Sequence, residues 1–302
     1  MRVYTAGQRR YIAFCAAANI QPTPLNEQTL CMFVTQLAKE GLTHQTIKSY
    51  LSAIRYFHVI AGQGDPFAGD PFPLLQYVCR GIKRSPSQAP RQLRLPVTPP
   101  IMRVLKQQWN TRATRDHDYI MLWAACCMGF FGFMRAGEFT LTQAGQFDPE
   151  TSLCLEDMAI DSHLNPSMVQ VKLKQSKTDP FRKGIFIYLG RTQADLCPVA
   201  AILAYVAVRP AVRGPLFVFK DGSYLTRDRL VSSIRSALNA AGLDTRGYSG
   251  HSFRIGAATT AALVGVEDSI IKMLGRWESS AYQRYLRTPR ESLAAISARL
   301  AA

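Results

Sequence analysis

A histidine, an arginine, a tryptophan and a tyrosine follow one another within residues 249–288, near the end of the 302-residue chain. His251 and Arg254 are three residues apart, Trp277 follows a Gly-Arg step, and Tyr285 comes last. In a helix, a three-residue separation places His251 and Arg254 on one face. Arginine offers an anionic oxygen a rigid fork of donors, and histidine can give or take a proton. The pattern indicates phosphoryl transfer on a tyrosine.

A second candidate lies earlier in the chain. Arg135 and Glu138 stand at the end of an apolar run over residues 118–133 that carries no charge after Asp118. A charge in such a place must be paired or functional, because burying an unpaired charge costs much free energy. An Arg135–Glu138 ion pair at a helix end is one interpretation, and a functional role for Arg135 is the other.

The segment 249–288 resembles the C-terminal signature of the tyrosine recombinases, the phage integrase family of Cre, lambda integrase and the Xer proteins. The matching residues are His-x-x-Arg in HSFRIGAA, a glycine followed by tryptophan, and a later tyrosine. HSFRIGAA is similar to Cre, and GRW followed by RYLRTP resembles the recombinases of Crypton and DIRS-type transposons. Arg276 separates Gly275 from Trp277, and Trp277 lies one residue closer to Tyr285 than in Cre. Either Arg276 or Trp277 therefore fills the position usually taken by His or Trp.

The resemblance implies a metal-independent enzyme that breaks and rejoins DNA strands. Two arginines would grip the scissile phosphate and offset the charge of the transition state. Tyr285 would attack to form a 3′-phosphotyrosine, with His251 as its base. The tryptophan would donate an indole N–H to the phosphate. The implied catalytic residues are Arg135, Lys177, His251, Arg254, Trp277 and Tyr285, with Glu138 in support.

Two of these assignments have competitors in the sequence. Lys177, in the polar turn KQSKTDPFRK, matches the family lysine that protonates the leaving 5′ oxygen, and Lys174 is its fallback. Tyr282 lies one helical turn before Tyr285, so both could face the same way. The Leu-Arg pair after Tyr285 favours that residue as the nucleophile. No cofactor and no metal are expected, because side chains supply the positive charge.

The function implied is site-specific recombination or integration of a mobile element. Two alternatives remain open: DNA relaxation by a type IB topoisomerase, which shares the phosphotyrosine chemistry, and a transposon-derived DNA-binding protein without catalysis. The helical N-terminal region and the short chain favour a recombinase over a topoisomerase. The complete set of six residues argues against loss of catalysis.

Composition fits a polyanionic partner. The net charge is +15 and the pI is near 9.7, which favours nucleic acid, although many proteins of other classes are basic. The seven cysteines form no Cys-x-x-Cys pair, which predicts free thiols in a reducing compartment and no metal cage. The most apolar run, 119–134, is too short to span a bilayer. We expect an intracellular protein, in the nucleus of a eukaryote or otherwise in cytoplasm or nucleoid, with no membrane partner.

Hydrophobic periodicity predicts a mainly α protein with a few short strands, and the resemblance implies that these strands form a small antiparallel β-sheet in an α+β fold. Residues 1–84 read as four helices with basic flanks and resemble the SAM-like core-binding domain of the recombinases. Residues 85–97 are rich in proline and arginine and read as a linker. Residues 98–302 form the predicted catalytic domain, with a buried helix over 118–133, strands over 152–160, 168–173 and 184–189, and helices over 227–241 and from His251.

Positive side chains in the first domain and the linker are candidate DNA contacts, although each could equally be a solvated charge. The candidates are Lys48, Arg55, Lys83, Arg84, Arg91 and Arg94. The last predicted helix, 291–301, is amphipathic, and such a helix usually packs on its own domain. The resemblance instead implies docking on a second copy of the chain, within a tetramer assembled on double-stranded DNA.

Overall fold

The computed structural model describes residues 2–69, 72–85, 93–110, 116–175 and 184–285. Three predictions lie outside these residues: Lys177, Arg91 and the helix over 291–301. The chain divides into two units, Met1–Arg91 and Gln92–Ala302. The dividing point falls inside the segment 85–97, and the exact domain limits stay a prediction.

The described part of the first unit contains four helices: α1 (Arg2–Ala17), α2 (Glu27–Lys39), α3 (His44–Ile60) and α4 (Pro73–Arg84). The helix starts follow from capping residues. Asn26 accepts hydrogen bonds from two backbone N–H groups of α2, and Thr43 accepts one from α3, so donors at both helix starts are satisfied. The apolar stripes of the helices meet in one core that includes Tyr11, Leu30, Phe33, Ile47 and Ile54.

In the second unit, other helices pack around one central apolar helix. Its described helices are α5 (Pro99–Asn110), α6 (His117–Phe131), α7 (Ala136–Phe139), α8 (Pro198–Val206), α9 (Arg227–Ala240), α10 (Ser252–Leu263) and α11 (Asp268–Leu274). Because α6 is apolar on nearly every side, it must be covered all round. Helices α5, α8 and α10 pack against it, which makes it the centre of the larger core.

Three short strands form an antiparallel sheet in the order β1 (Met158–Ile160), β2 (Met168–Leu173) and β3 (Ile185–Gly190). Val169 and Val171 of β2 face the core, whereas Phe186 and Tyr188 of β3 face outward, as the two-residue period of a half-buried sheet requires. The segment 155–157 is a 3-10 turn, so β1 is shorter than the predicted strand over 152–160.

Within the described residues, no helix combines the length and the apolar composition needed to cross a membrane.

Candidate active site

The site depends on how the segment before α5 lies along α10. The backbone N–H of Leu95 donates to the carbonyl of Gly247, and that of Val97 donates to the carbonyl of Ser252, at 2.9 Å each. The Val97 carbonyl lies so close to Gly256 that a Cβ at that glycine would be 1.8 Å from its oxygen. Glycine is therefore required there, and this contact holds the start of α10 in place.

Arg135 is held at the start of α7 by the side chain of Glu138. Its backbone N–H donates to Glu138 Oε2 at 2.9 Å, and its Nη1 donates to Oε1 at 2.6 Å. The Glu138 side chain is only 6% exposed, against 18% for Arg135. The backbone N–H of Ala136 donates to the carbonyl of Gly250, which brings Arg135 beside the residue that precedes His251. The predicted ion pair exists, and it leaves Arg135 at the edge of a cleft.

Arg276, in the segment that follows α11, bonds to the same carboxylate of Glu138. Its Nη2 donates to Glu138 Oε2 at 2.9 Å, and its Nη1 donates to the carbonyl of Gly132 at 3.0 Å. Its backbone is left-handed, with φ of 55°. Such a φ is uncommon outside glycine and turns the residue sharply between Gly275 and Trp277. The chain therefore sends Arg276 toward Glu138 and Trp277 elsewhere.

Trp277 lies against Arg254. The guanidinium carbon is 4.3 Å from the ring centroid, a cation–π contact made with both side chains buried. Arg254 also donates to the carbonyls of Phe133 and Gly275. A Cβ at Gly275 would be 1.6 Å from a ring carbon of Trp277, which explains the glycine of the Gly-x-Trp sequence. Trp277, rather than Arg276, is thus the neighbour of the second arginine.

A cleft of about 840 Å³ opens in front of these residues. Its lining is basic, because four arginines, Arg94, Arg135, Arg227 and Arg235, outnumber the two carboxylates, Glu138 and Asp228. Gln175 and His251 also line it. Arg254 and Trp277 do not line it: Arg254 is 0% exposed and lies behind the wall. The structure therefore brings two predicted catalytic residues, Arg135 and His251, to the cleft surface. It places two others in a buried layer that supports them.

The cleft holds His251 in its neutral form. Burial and, to a smaller extent, the positive charges of Arg94, Arg135, Arg254 and Arg227 together lower the pKa of His251 to about 4. A neutral imidazole can accept a proton at pH 7. An anion entering the cleft would offset the arginine charges, so its arrival would raise the pKa of His251 and make proton transfer to it easier.

We expect the lowered pKa of His251 to make the stability of the second unit depend on pH. The unfolded histidine titrates near pH 6.5, at about its ordinary pKa, whereas the folded one titrates at about 4. Between these values the unfolded chain binds the extra proton, so stability is full above pH 6.5 and falls as the pH drops toward 4. Urea unfolding should show wild type losing stability relative to His251→Gln over this window. A difference that stays constant with pH would contradict the assignment.

Lys174 and Tyr282, the alternatives to Lys177 and Tyr285, both have partners in the structure. Lys174 Nζ pairs with Asp157 Oδ2 at 2.8 Å and donates to the carbonyl of Pro149 at 2.7 Å, so it ties the end of β2 to the turn before β1. Gln175, next along the chain, lines the cleft, and Lys177 lies two residues beyond it, outside the described residues. Lys174 is thus tied into the fold, and the role of Lys177 stays a prediction.

The side chain of Tyr282 also has partners within the fold. Its hydroxyl donates to Asp268 Oδ2 at 2.7 Å, and its ring centroid lies 6.1 Å from that of Trp277. The side chain is buried within a 3-10 turn, Ser280–Tyr285, that ends at the predicted nucleophile. The backbone of Tyr285 is described, but its side chain is outside the description.

Sequence reasoning missed two arginines of the cleft, Arg227 and Arg235. They stand eight positions apart on α9, with Val231 between them, and all three line the cleft. The helical spacing i, i+4, i+8 was visible in the sequence as one face of a helix with a basic residue at each end. Arg235 also donates to the carbonyl of Tyr248, just before the HSFR segment.

The predicted DNA contacts of the first unit are on its surface. Lys48, Lys83 and Arg84 are exposed. Arg55 is exposed too, and it forms an ion pair with Asp65. Arg94 belongs to the second unit and lines the cleft. Among the described residues, no group of three or more His, Cys, Asp or Glu side chains could hold a metal ion.

No family model matches the chain. It is similar to an integrase/recombinase XerD homolog from Selenomonas ruminantium, with 22% identity over 275 residues that cover 87% of this chain and 73% of the relative. Its structure is similar to XerH site-specific recombinase in a post-cleavage complex with a palindromic difH substrate. The TM-score is 0.70 and the identity 14%, over 100% of this chain and 80% of that one. For Tn1549 transposon integrase with circular intermediate DNA, the TM-score is 0.62 and the identity 13%, covering 98% and 93%.

The fold is that of the tyrosine recombinases, and the predicted α+β class is confirmed. The sequence similarity to the XerD homolog and the similar folds of XerH and the Tn1549 integrase confirm the resemblance seen in the sequence.

Proposed function

We propose that this protein is a site-specific DNA recombinase or integrase that cleaves and rejoins DNA strands through a 3′-phosphotyrosine intermediate. The observation that carries the proposal is the basic cleft in which Arg135, held by a buried carboxylate, faces a neutral His251. An arginine fork and an uncharged imidazole are what a phosphodiester and an attacking phenol require.

The proposed reaction proceeds in two transesterification steps. The Tyr285 oxygen attacks the scissile phosphorus and gives its proton to His251, while the bond from phosphorus to the 5′ oxygen breaks. Lys177 donates a proton to the departing 5′ oxygen. The phosphotyrosine retains the energy of the phosphodiester, so a 5′ hydroxyl of another strand can attack it. The new bond to phosphorus forms as the bond to the Tyr285 oxygen breaks, Lys177 takes the proton of the hydroxyl, and His251 returns a proton to Tyr285.

The positive side chains make different contributions to binding and catalysis. Arg135 contacts the non-bridging oxygens from the cleft wall, where its charge offsets that of the transition state. Arg254 lies behind the wall, and it reaches the phosphate only when its bonds to the carbonyls of Phe133 and Gly275 are exchanged for bonds to phosphate oxygens. Arg94, Arg227 and Arg235 attract the DNA backbone on either side.

Recombination is favoured over both alternatives. The named relatives are recombinases and integrases, which makes DNA relaxation the weaker proposal. A non-catalytic DNA-binding protein would have no need of a buried carboxylate that orients Arg135 beside a neutral histidine. The proposed partners are double-stranded DNA and further copies of this chain in a tetramer on the DNA. The proposed location is inside the cell, where the DNA is.

Covalent capture on a nicked suicide substrate tests this function. The nick lets the 5′-hydroxyl fragment diffuse away, so the protein remains attached to the 3′ end and migrates as a denaturation-resistant adduct. Arg135→Ala should form the adduct about 10²–10³ times more slowly, the usual effect of removing one preorganised donor. Candidate substrates are the ends of the mobile element whose DNA encodes the chain.

Arg246→Ala is a matched control, because Arg246 is exposed and pairs only with neighbouring Asp244 among the described residues. It should form the adduct at the wild-type rate. Wild-type protein that binds the substrate ends tightly yet yields no adduct would overturn the catalytic proposal. Relaxation of supercoiled plasmids lacking those ends would favour the topoisomerase alternative.

A further inference from the structure

We propose that Arg276 is a positioning residue for the reaction: it holds one oxygen of Glu138, so that Arg135 keeps its guanidinium in the cleft. The inference rests on the proposed function for its catalytic consequence, although the geometry stands independently. Arg276 lies between Gly275 and Trp277, where the sequence departs from the Cre-like pattern.

The two oxygens of Glu138 are divided between two arginines. Oε1 accepts from Arg135 Nη1 at 2.6 Å, while Oε2 accepts from the Arg135 backbone and from Arg276 Nη2, at 2.9 Å each. The carboxylate is 6% exposed and the Arg276 side chain 8% exposed, so water screens their attraction poorly. As a result, Arg135 gives only one guanidinium nitrogen to Glu138 and has the others for the cleft.

Arg276 is itself fixed from several directions. Nη1 donates to the carbonyls of Gly132 and Leu274, and Nη2 also donates to the carbonyl of Phe133. Two of these acceptors belong to the chain that leaves α6, where carbonyls lack helical partners and a positive charge is favourable. The guanidinium thus links the segment that leads to the tyrosines with the segment that carries Arg135.

Loss of Arg276 should redirect Arg135. The buried Oε2 would lose its charged partner, and the nearest remaining guanidinium is that of Arg135. An arginine readily forms a two-nitrogen fork on a carboxylate, so Arg135 would turn toward both oxygens and away from the phosphate. Removing the Glu138 charge as well would abolish the attraction that redirects it.

Three variants test this device: Arg276→Met, Arg276→Lys and the double variant Arg276→Met with Glu138→Gln. On the suicide substrate, Arg276→Met should cleave at about one hundredth of the wild-type rate, comparable with loss of a preorganised donor. Its affinity for duplex DNA should change less than about threefold, because the other cleft arginines remain. The double variant should regain at least tenfold in rate. The cleavage rate of Arg276→Lys should lie between those of Arg276→Met and wild type. One ammonium group cannot donate to all four oxygens that Arg276 bonds, which are one Glu138 oxygen and three backbone carbonyls.

Recovery of cleavage in the double variant distinguishes a positioning role of Arg276 from a role in stabilising the fold. If Arg276 merely held the carbonyls beyond α6, the second substitution would leave cleavage at the level of Arg276→Met or lower it, and that result would overturn the proposal. Crystal structures of Arg276→Met and of the double variant decide the geometry without any assay. We expect both guanidinium nitrogens of Arg135 on Glu138 in the single variant and the wild-type arrangement in the double. An unmoved Arg135 in the single variant refutes the positioning role even if wild type forms no adduct.

Discussion

Replacing Tyr285 by phenylalanine is expected to abolish the covalent protein–DNA adduct, whereas Tyr282→Phe should still form it. The expected loss in Tyr285→Phe exceeds that of any other single substitution considered, because without the phenol oxygen there is no atom to bond to phosphorus. Binding of intact duplex should remain close to wild type, since the cleft arginines are unchanged.

The prediction for Tyr282 follows from its surroundings. Its hydroxyl is used by the Asp268 carboxylate and its ring packs on Trp277, which in turn covers Arg254. The bond to Asp268 raises the pKa of Tyr282, which makes its phenol harder to ionise. Tyr282→Phe should therefore lower stability only slightly, because it removes a single hydrogen bond. It should slow cleavage only modestly.

The measurement is denaturing electrophoresis of labelled suicide substrate with wild type and the two phenylalanine variants. Mass spectrometry of the digested adduct then identifies the modified peptide, which places the phosphate on one tyrosine directly. An adduct that persists in Tyr285→Phe and disappears in Tyr282→Phe would reverse the assignment. In that case the Tyr282–Asp268 contact would have to open during the reaction.

Replacing Gly256 by alanine is expected to have the largest effect on stability. The new Cβ would lie 1.8 Å from the Val97 oxygen and 2.5 Å from its carbonyl carbon. Both are backbone atoms of a fully buried residue whose N–H is bonded to Ser252, so no side chain can move aside. The helix or the segment 93–97 must shift, and we expect a loss of at least about 3 kcal/mol, the upper range for overpacking a core.

Urea unfolding followed by tryptophan fluorescence measures this loss selectively. All three tryptophans, Trp109, Trp123 and Trp277, belong to the second unit, so the signal reports that unit. Gly137→Ala is the matched control: Gly137 lies in α7 with nothing within 4 Å of a Cβ, and it should be neutral or slightly stabilising. A Gly256→Ala protein as stable as Gly137→Ala would show that the Val97 carbonyl can move away from α10 at little cost in free energy.

Several elements of the fold were readable from the sequence because their causes are local. Asn26 and Thr43 cap helices through hydrogen bonds to residues two or three positions away, and this needs no tertiary partner. The uniformly apolar α6 could only be a buried centre. By contrast, the 3-10 turn at residues 155–157 is held by Asp157, which accepts from the backbone N–H of Cys154 and also pairs with Lys174 at the far end of β2. That choice competes with the β-propensity of the surrounding residues.

The sequence by itself determined which reactive groups lie near the C-terminus: His251, Arg254, a Gly-x-Trp sequence, and Tyr285 after it. Types and spacing sufficed, because they reflect what a phosphate and a nucleophile require. Only the tertiary structure decided how the arginines divide their tasks. Arg135 stands in the cleft wall, Arg254 lies behind it on Trp277, and Arg276 turns to Glu138. The bonds from Arg254 to Phe133 and from Arg276 to Glu138 join residues more than 120 positions apart, where no local pattern specifies the partner and only close packing does.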